Sequence, residues 1–126
     1  MLKICVEGWR GINHSFSIVN QNQLLELAKL PINLKIRDIP YFNKNWSLKK
    51  NPDGFLVSEK KILDKISYAL SDEEFDITYR ISYPFDFSKS YSKKLYVFAT
   101  VEKKIGSYIN GNPKDKNNRE YLNIIT

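Results

Sequence analysis

Cysteine and histidine each occur once in this chain of 126 residues, as Cys5 and His14. A single cysteine excludes an internal disulfide. Set in an apolar stretch, it reads as a small buried hydrophobe in a reducing compartment. One histidine with one distant cysteine excludes a His-based zinc site, and neither a metal nor a cofactor is expected. No apolar run approaches the roughly 18 residues a membrane span needs. The first apolar stretch breaks at Glu7, so no signal peptide is read and a cytoplasmic chain is expected. Neither G-x-G-x-x-G nor the Walker pattern is present, which argues against a dinucleotide oxidoreductase and a P-loop nucleotidase. Internal repeats and low-complexity segments are also missing.

What is present suffices for one domain over residues 1–126 with a real core. Hydrophobic residues make up 42% and aromatic residues 13%. The formal net charge is +6. Such a balance favours a polyanionic partner, or it marks a Lys-rich solvated surface.

The chain is organised around Gly8-Trp9-Arg10-Gly11-Ile12-Asn13-His14-Ser15. Leu2 to Val6 reads as an interior parallel strand leading into it. Two glycines three apart allow positive φ and close approach of the backbone to a ligand. A helix is predicted from Asn13 or His14 to Lys29, ended by Pro31. Its first turn offers unpaired N–H groups and the positive end of the macrodipole, a seat for an anion. Gly8, Arg10, Gly11, Asn13, His14 and Ser15 are therefore the candidate binding residues here. His14 could hydrogen-bond a phosphate or sugar hydroxyl, act as a base, or simply cap the helix. Ile18, Leu24, Leu25 and Ala28 define the expected apolar face of that helix. Gln21 and Asn22 interrupt it, either as solvated amides or as amides aimed at a polar cleft.

Ile32 to Ile36 alternates as a half-buried strand near an edge. Arg37-Asp38 beyond it lies on the rim where α/β folds bind ligands, or reads as a local surface ion pair. Tyr41 to Gly54 is a connector with Tyr41, Phe42 and Trp46, anchoring it or stacking a ligand. Ser58 reads as an N-cap, with Ile62, Leu63, Ile66, Ala69 and Leu70 as the stripe of a second helix ended by Ser71-Asp72-Glu73-Glu74. Those acids read as a solvated turn. Phe75 to Ile81 is a strand, with Arg80 near its end placed to meet a phosphate or carboxylate. Leu95 to Ala99, the most apolar strand, is expected to be central. A short helix through Val101, Ile105 and Tyr108 and a last strand, Leu122 to Thr126, follow. The alternation predicts an α/β fold: an open Rossmann-like domain with a mainly parallel sheet of about five strands and flanking helices.

Lys3 to Ser15, Val19-Asn20-Gln21, Gln23 to Leu27, Ile77-Thr78-Tyr79-Arg80, Tyr83-Pro84 and Ile124-Ile125-Thr126 together resemble the N-terminal domain of GT-B glycosyltransferases of the bacterial group 1 type. That resemblance implies the acceptor-side half of a hexosyltransferase, acting on a glycan or lipid-linked acceptor. Transfer in this fold is metal-independent as a rule. The nucleotide sugar would be bound by a second Rossmann-like domain or chain, so the 126 residues alone are expected to be inactive. Gly8, Gly11, Asn13, His14 and Ser15 would line the cleft, with His14 the catalytic candidate and Arg80 facing it from a later strand. Many such enzymes work at a membrane surface, and a Lys-rich half would be drawn to the anionic inner face. The competing reading is a basic, non-enzymatic α/β module for nucleic acid or another polyanion. Its lysines are dispersed and no RNA-binding signature occurs, so no specific nucleic acid is expected. A receiver- or flavodoxin-like domain is the third reading, and it lacks the acidic cluster a receiver needs after its first strand.

Overall fold

A computed structural model describes residues 1–41, 43, 45–46 and 54–99, and the backbone of 122–125. The elements in order are β1 (Lys3–Gly8), α1 (Ser15–Leu27), β2 (Asn33–Asp38), α2 (Val57–Asp64), β3 (Ser67–Tyr68), β4 (Phe75–Ile81), β5 (Ser92–Phe98) and β6 (Leu122–Ile125). The six strands form one sheet in the order β3-β2-β1-β4-β5-β6, and every pairing is parallel. This is a Rossmann-like α/β domain. Strand order reverses between β1 and β4, the place where open parallel sheets bind ligands at their C-terminal edge.

Period-two alternation in β1 divides the sheet into two unlike faces. Ile4 and Val6 point to one face. There, with Ile36 of β2, they bury Leu24 and Leu25 of α1 and Leu63 of α2. Lys3, Cys5 and Glu7 point to the other. Register sets Glu7 between Arg37 of β2 and Arg80 of β4. No helix is described on that face. The link from β3 to β4 runs over it, from Leu70, whose carbonyl accepts from Arg37 Nη2 (2.7 Å), to Glu73, which meets Lys3 Nζ (2.7 Å). The β4–β5 loop folds over it too, and packs Phe87 against Leu95 and Val97.

Several expectations are corrected. β1 runs on to Gly8, because Glu7 is buried in an ion pair rather than breaking the strand. On α1 the buried residues are Phe16, Ser17, Asn20, Gln21, Leu24 and Leu25, while Ile18 is exposed. Ser58 does not cap α2. The cap position is Leu56, whose N–H donates to Glu59 Oε1 (2.9 Å). That helix stops at Asp64. The apolar stripe beyond it passes into β3, leaving Ile62 and Leu70 exposed. β3 takes the edge and β2 lies next to it, near the edge as expected. The central pair is β1 and β4, so β5 is interior but not central. Arg37 and Asp38 do not pair with each other: Arg37 meets Glu7 (3.3 Å) and Asp38 meets Arg10 (2.8 Å). Glu73 is an ion-pair partner, not a free acid of a solvated turn. The short helix expected through Val101, Ile105 and Tyr108 lies outside the described residues.

Candidate functional site

The glycine turn leaves β1 at the C-terminal edge of the sheet. Gly8 is still in the strand, paired with Asp38 on one side and Ile81 on the other. A Cβ there would lie 2.8 Å from Asn20 Nδ2, from Ile81 Cγ2 and from the Ile81 carbonyl oxygen. Gly8 is thus required for close helix–sheet packing and not for a left-handed turn. Gly11 is the residue with positive φ, at 76°.

Three side chains of α1 hold the turn from beneath. Gln21 Oε1 accepts from Gly11 N–H and from the Ser17 hydroxyl, both at 3.0 Å. Ser17 Oγ accepts from Ile12 N–H (3.4 Å). Asn20 Nδ2 donates to the Trp9 carbonyl (2.9 Å). This is why polar residues interrupt the helix face: they are buried to satisfy a loop that has left the sheet ladder. The amides of Gly11 and Ile12 therefore point inward, away from any ligand. Asn20 Oδ1 is buried with no hydrogen bond among the described residues.

Trp9 is buried. Its indole N–H donates to the Pro40 carbonyl (3.0 Å), tying the turn to the chain after β2. Its ring meets His14 edge-on at 5.0 Å and Trp46 at 5.4 Å. Trp46 thus anchors the described part of the long connector to the body. Phe85, from the loop after β4, stacks on Phe16 at the start of α1. Aromatic packing closes much of the space between the β1 and β4 ends.

His14 is the N-cap of α1. Its Nδ1 accepts from Phe16 N–H (3.1 Å), and its ring is half-buried among Trp9, Phe16 and Trp46. A neutral imidazole carries one N–H, so with Nδ1 accepting, the proton sits on Nε2. In this arrangement the ring offers a ligand a donor and not a base, which bears against the general-base role. Asn13 and Ser15, on either side, are exposed.

Arg10 turns outward toward β2. Its Nε and Nη2 form a bidentate pair with Asp38 (2.8 and 3.0 Å), and Nη2 also donates to Tyr68 Oη (2.8 Å). The Arg10 carbonyl accepts from Tyr41 Oη (2.8 Å). Burial alone would lower the Arg10 pKa. The bonds and charge of Asp38 outweigh it and raise the value above normal. Burial and the nearby Asp38 charge likewise raise Tyr41. Arg10, Asp38, Ile39, Pro40 and Tyr41 line a pocket of about 300 Å³. Tyr68 was not legible as a site residue, and neither was the pairing of Asp38 with Arg10. Asp38 is 28 positions from Arg10, and only the parallel register Gly8↔Asp38 brings them together.

Arg80 is not gathered into this site. It lies on the ion-bearing face of the sheet, with its side chain 6% exposed. Nε donates to Glu7 Oε1 (2.7 Å), and Nη1 to the carbonyls of Asp86 and Ser88 (both 2.9 Å). A side chain near the end of a strand still points along the pleat, and this one points under the loop. Among the described residues there is no group of three His, Cys, Asp or Glu side chains able to hold a metal, and no helix long and apolar enough to cross a membrane.

Comparison with known protein families, with curated proteins and with solved structures returns no match.

Proposed function

We propose that this chain is the acceptor-side half of a GT-B-type glycosyltransferase, handling the glycan or lipid-linked acceptor of a hexosyl transfer. One observation carries the reading. The glycine turn and its histidine-capped helix lie at the C-terminal edge of the central strand, beside the point where strand order reverses. The likeness of Lys3 to Ser15 and of the later segments to that family supports it. The inward commitment of the Gly11 and Ile12 amides fits a site that does not cradle donor phosphates. His14 contributes Nε2–H to a ligand oxygen, and Arg10 a guanidinium edge. A second domain or chain supplies the nucleotide sugar, and the basic surface brings the chain to an anionic inner membrane face.

The test is ligand binding followed by saturation-transfer NMR on the purified chain. Oligosaccharides should give contacts, and UDP-glucose and GDP-mannose none. Binding of either nucleotide sugar would overturn the acceptor-side assignment. Tight, steeply salt-dependent binding of an oligonucleotide would favour a polyanion-binding module instead.

A further inference from the structure

We infer that the pocket between the glycine turn and the end of β2 is a subsite for one neutral sugar ring, held by Asp38 and Arg10. The inference rests on the acceptor-side reading and names residues for it. Four separate segments converge here: Arg10 from the turn, Asp38 from β2, Tyr41 from the chain beyond it, and Tyr68 from β3.

The charges choose the ligand class. Arg10 and Asp38 cancel, so the pocket carries no net charge to attract a free phosphate. Asp38 keeps 48% of its side chain exposed, and both oxygens retain lone pairs beyond the bonds from Arg10. Arg10 Nη1 has no hydrogen-bond partner among the described residues, since Nε and Nη2 make all the bonds to Asp38 and Tyr68. A carboxylate acceptor beside a guanidinium donor matches a vicinal diol, in which one hydroxyl donates and its neighbour accepts. Ile39, Pro40 and Tyr41 give apolar wall for the C–H surface of a ring. A volume of about 300 Å³ is at the small end of ligand pockets, fitting one ring and not a nucleotide.

The donor is also held in place before any ligand arrives. Tyr68 accepts from Nη2, and its ring centroid lies 5.5 Å from the guanidinium carbon. Tyr41 fixes the Arg10 backbone. Less ordering remains to be done on binding. The two-residue strand β3 thus has a role in placing Tyr68 at the rim.

The experiment is a ¹⁵N-correlated NMR titration of the whole chain. The probes are methyl α-D-glucopyranoside, methyl α-D-mannopyranoside, methyl β-D-galactopyranoside and inorganic phosphate. Two signals report: Arg10 Nε–H, and Trp9 Nε1–H, which donates to the carbonyl of the wall residue Pro40. At least one hexoside should shift both saturably, with phosphate inert. Asp38→Asn should weaken that binding about tenfold or more. Tyr68→Phe, which leaves the Asp38 pair intact, should weaken it about threefold and keeps the test open if the first variant misfolds. Shifts with phosphate alone, or none with any hexoside, overturn the subsite. Saccharide contacts that leave both signals still would overturn the subsite while the acceptor-side reading stands. Absence of every saccharide contact would remove both.

Discussion

The two faces of the sheet solve the same problem by opposite means. One face is apolar and is covered by helices, whose backbone groups are satisfied internally. The other carries Lys3, Glu7, Arg37 and Arg80 and, in the described residues, is covered by irregular chain. Irregular chain laid over a sheet brings carbonyls that need donors. Arg80 donates to two of them, at Asp86 and Ser88, and Glu7 neutralises Arg80. Among the described residues, the buried ions of this face thus lie where irregular chain covers the sheet. Cys5 lies among them, and burial, then the Glu7 charge, pushes its thiol up to about 12, so it stays an unreactive packing group.

The comparison breaks most sharply at Arg80. Arg80→Met should destabilise the chain by about 3–5 kcal/mol, because it leaves the buried Glu7 carboxylate with only its longer bond from Arg37 (3.3 Å) and two carbonyls without a donor. The double variant Glu7→Leu with Arg80→Met removes the stranded charge but not the stranded carbonyls. It should recover only part of the loss and stay about 1–3 kcal/mol below the parent in urea denaturation. Full recovery would mean the loop does not depend on those donors. On the apolar face Leu24→Ala should cost about 2–5 kcal/mol, as a cavity does, with no polar group left unpaired.

Gly8→Ala comes next, at about 1–3 kcal/mol, since the added carbon meets the Ile81 carbonyl oxygen, which cannot rotate away. Its signature should be local, with faster amide exchange at Gly11 as Asn20 and α1 are pushed outward.

Acidification gives the smallest and most selective effect. Glu73 is held below the usual carboxylate range by its bond from Lys3 Nζ, and Asp76 by the Lys3 backbone N–H. For Asp86 burial acts upward, but the bonds from Ser88 and the charge of Arg80 outweigh it, and the net shift is downward. A carboxylate lowered in the folded state stabilises above its unfolded value, about 4. That stability is lost as pH falls through the lowered value. The urea midpoint should therefore decline from about pH 4 downward. Asp86→Asn should flatten the decline, and Leu24→Ala should shift the whole curve without changing its shape.

Much of the sheet was legible, because apolar alternation in residues 32–36 and 75–81, and the short apolar runs 2–6 and 95–99, mark half-buried and interior strands. Strand β3 was not, since Ser67 and Tyr68 are exposed and sit inside a stripe that keeps helical spacing through Leu70. The positive φ of Gly11 could be anticipated from residue type, whereas Gly8 needs a reason that exists only once α1 is packed. Arg80 and Arg37 looked like rim residues because their strand positions were visible and their partners were not. Their ion pairs come from parallel register, which joins residues 73 and 30 positions apart.

The floor beneath residues 9–12 is built by the helix that follows, through Ser17, Asn20 and Gln21, and owes little to the outward side chains of the turn itself. Course and cargo are thereby separated: the exposed Ser15 could be exchanged for other residues without redrawing the backbone. A family of variants at that position, on an unchanged Ser17-Asn20-Gln21 foundation, is a ready library for altering what this edge of the sheet selects.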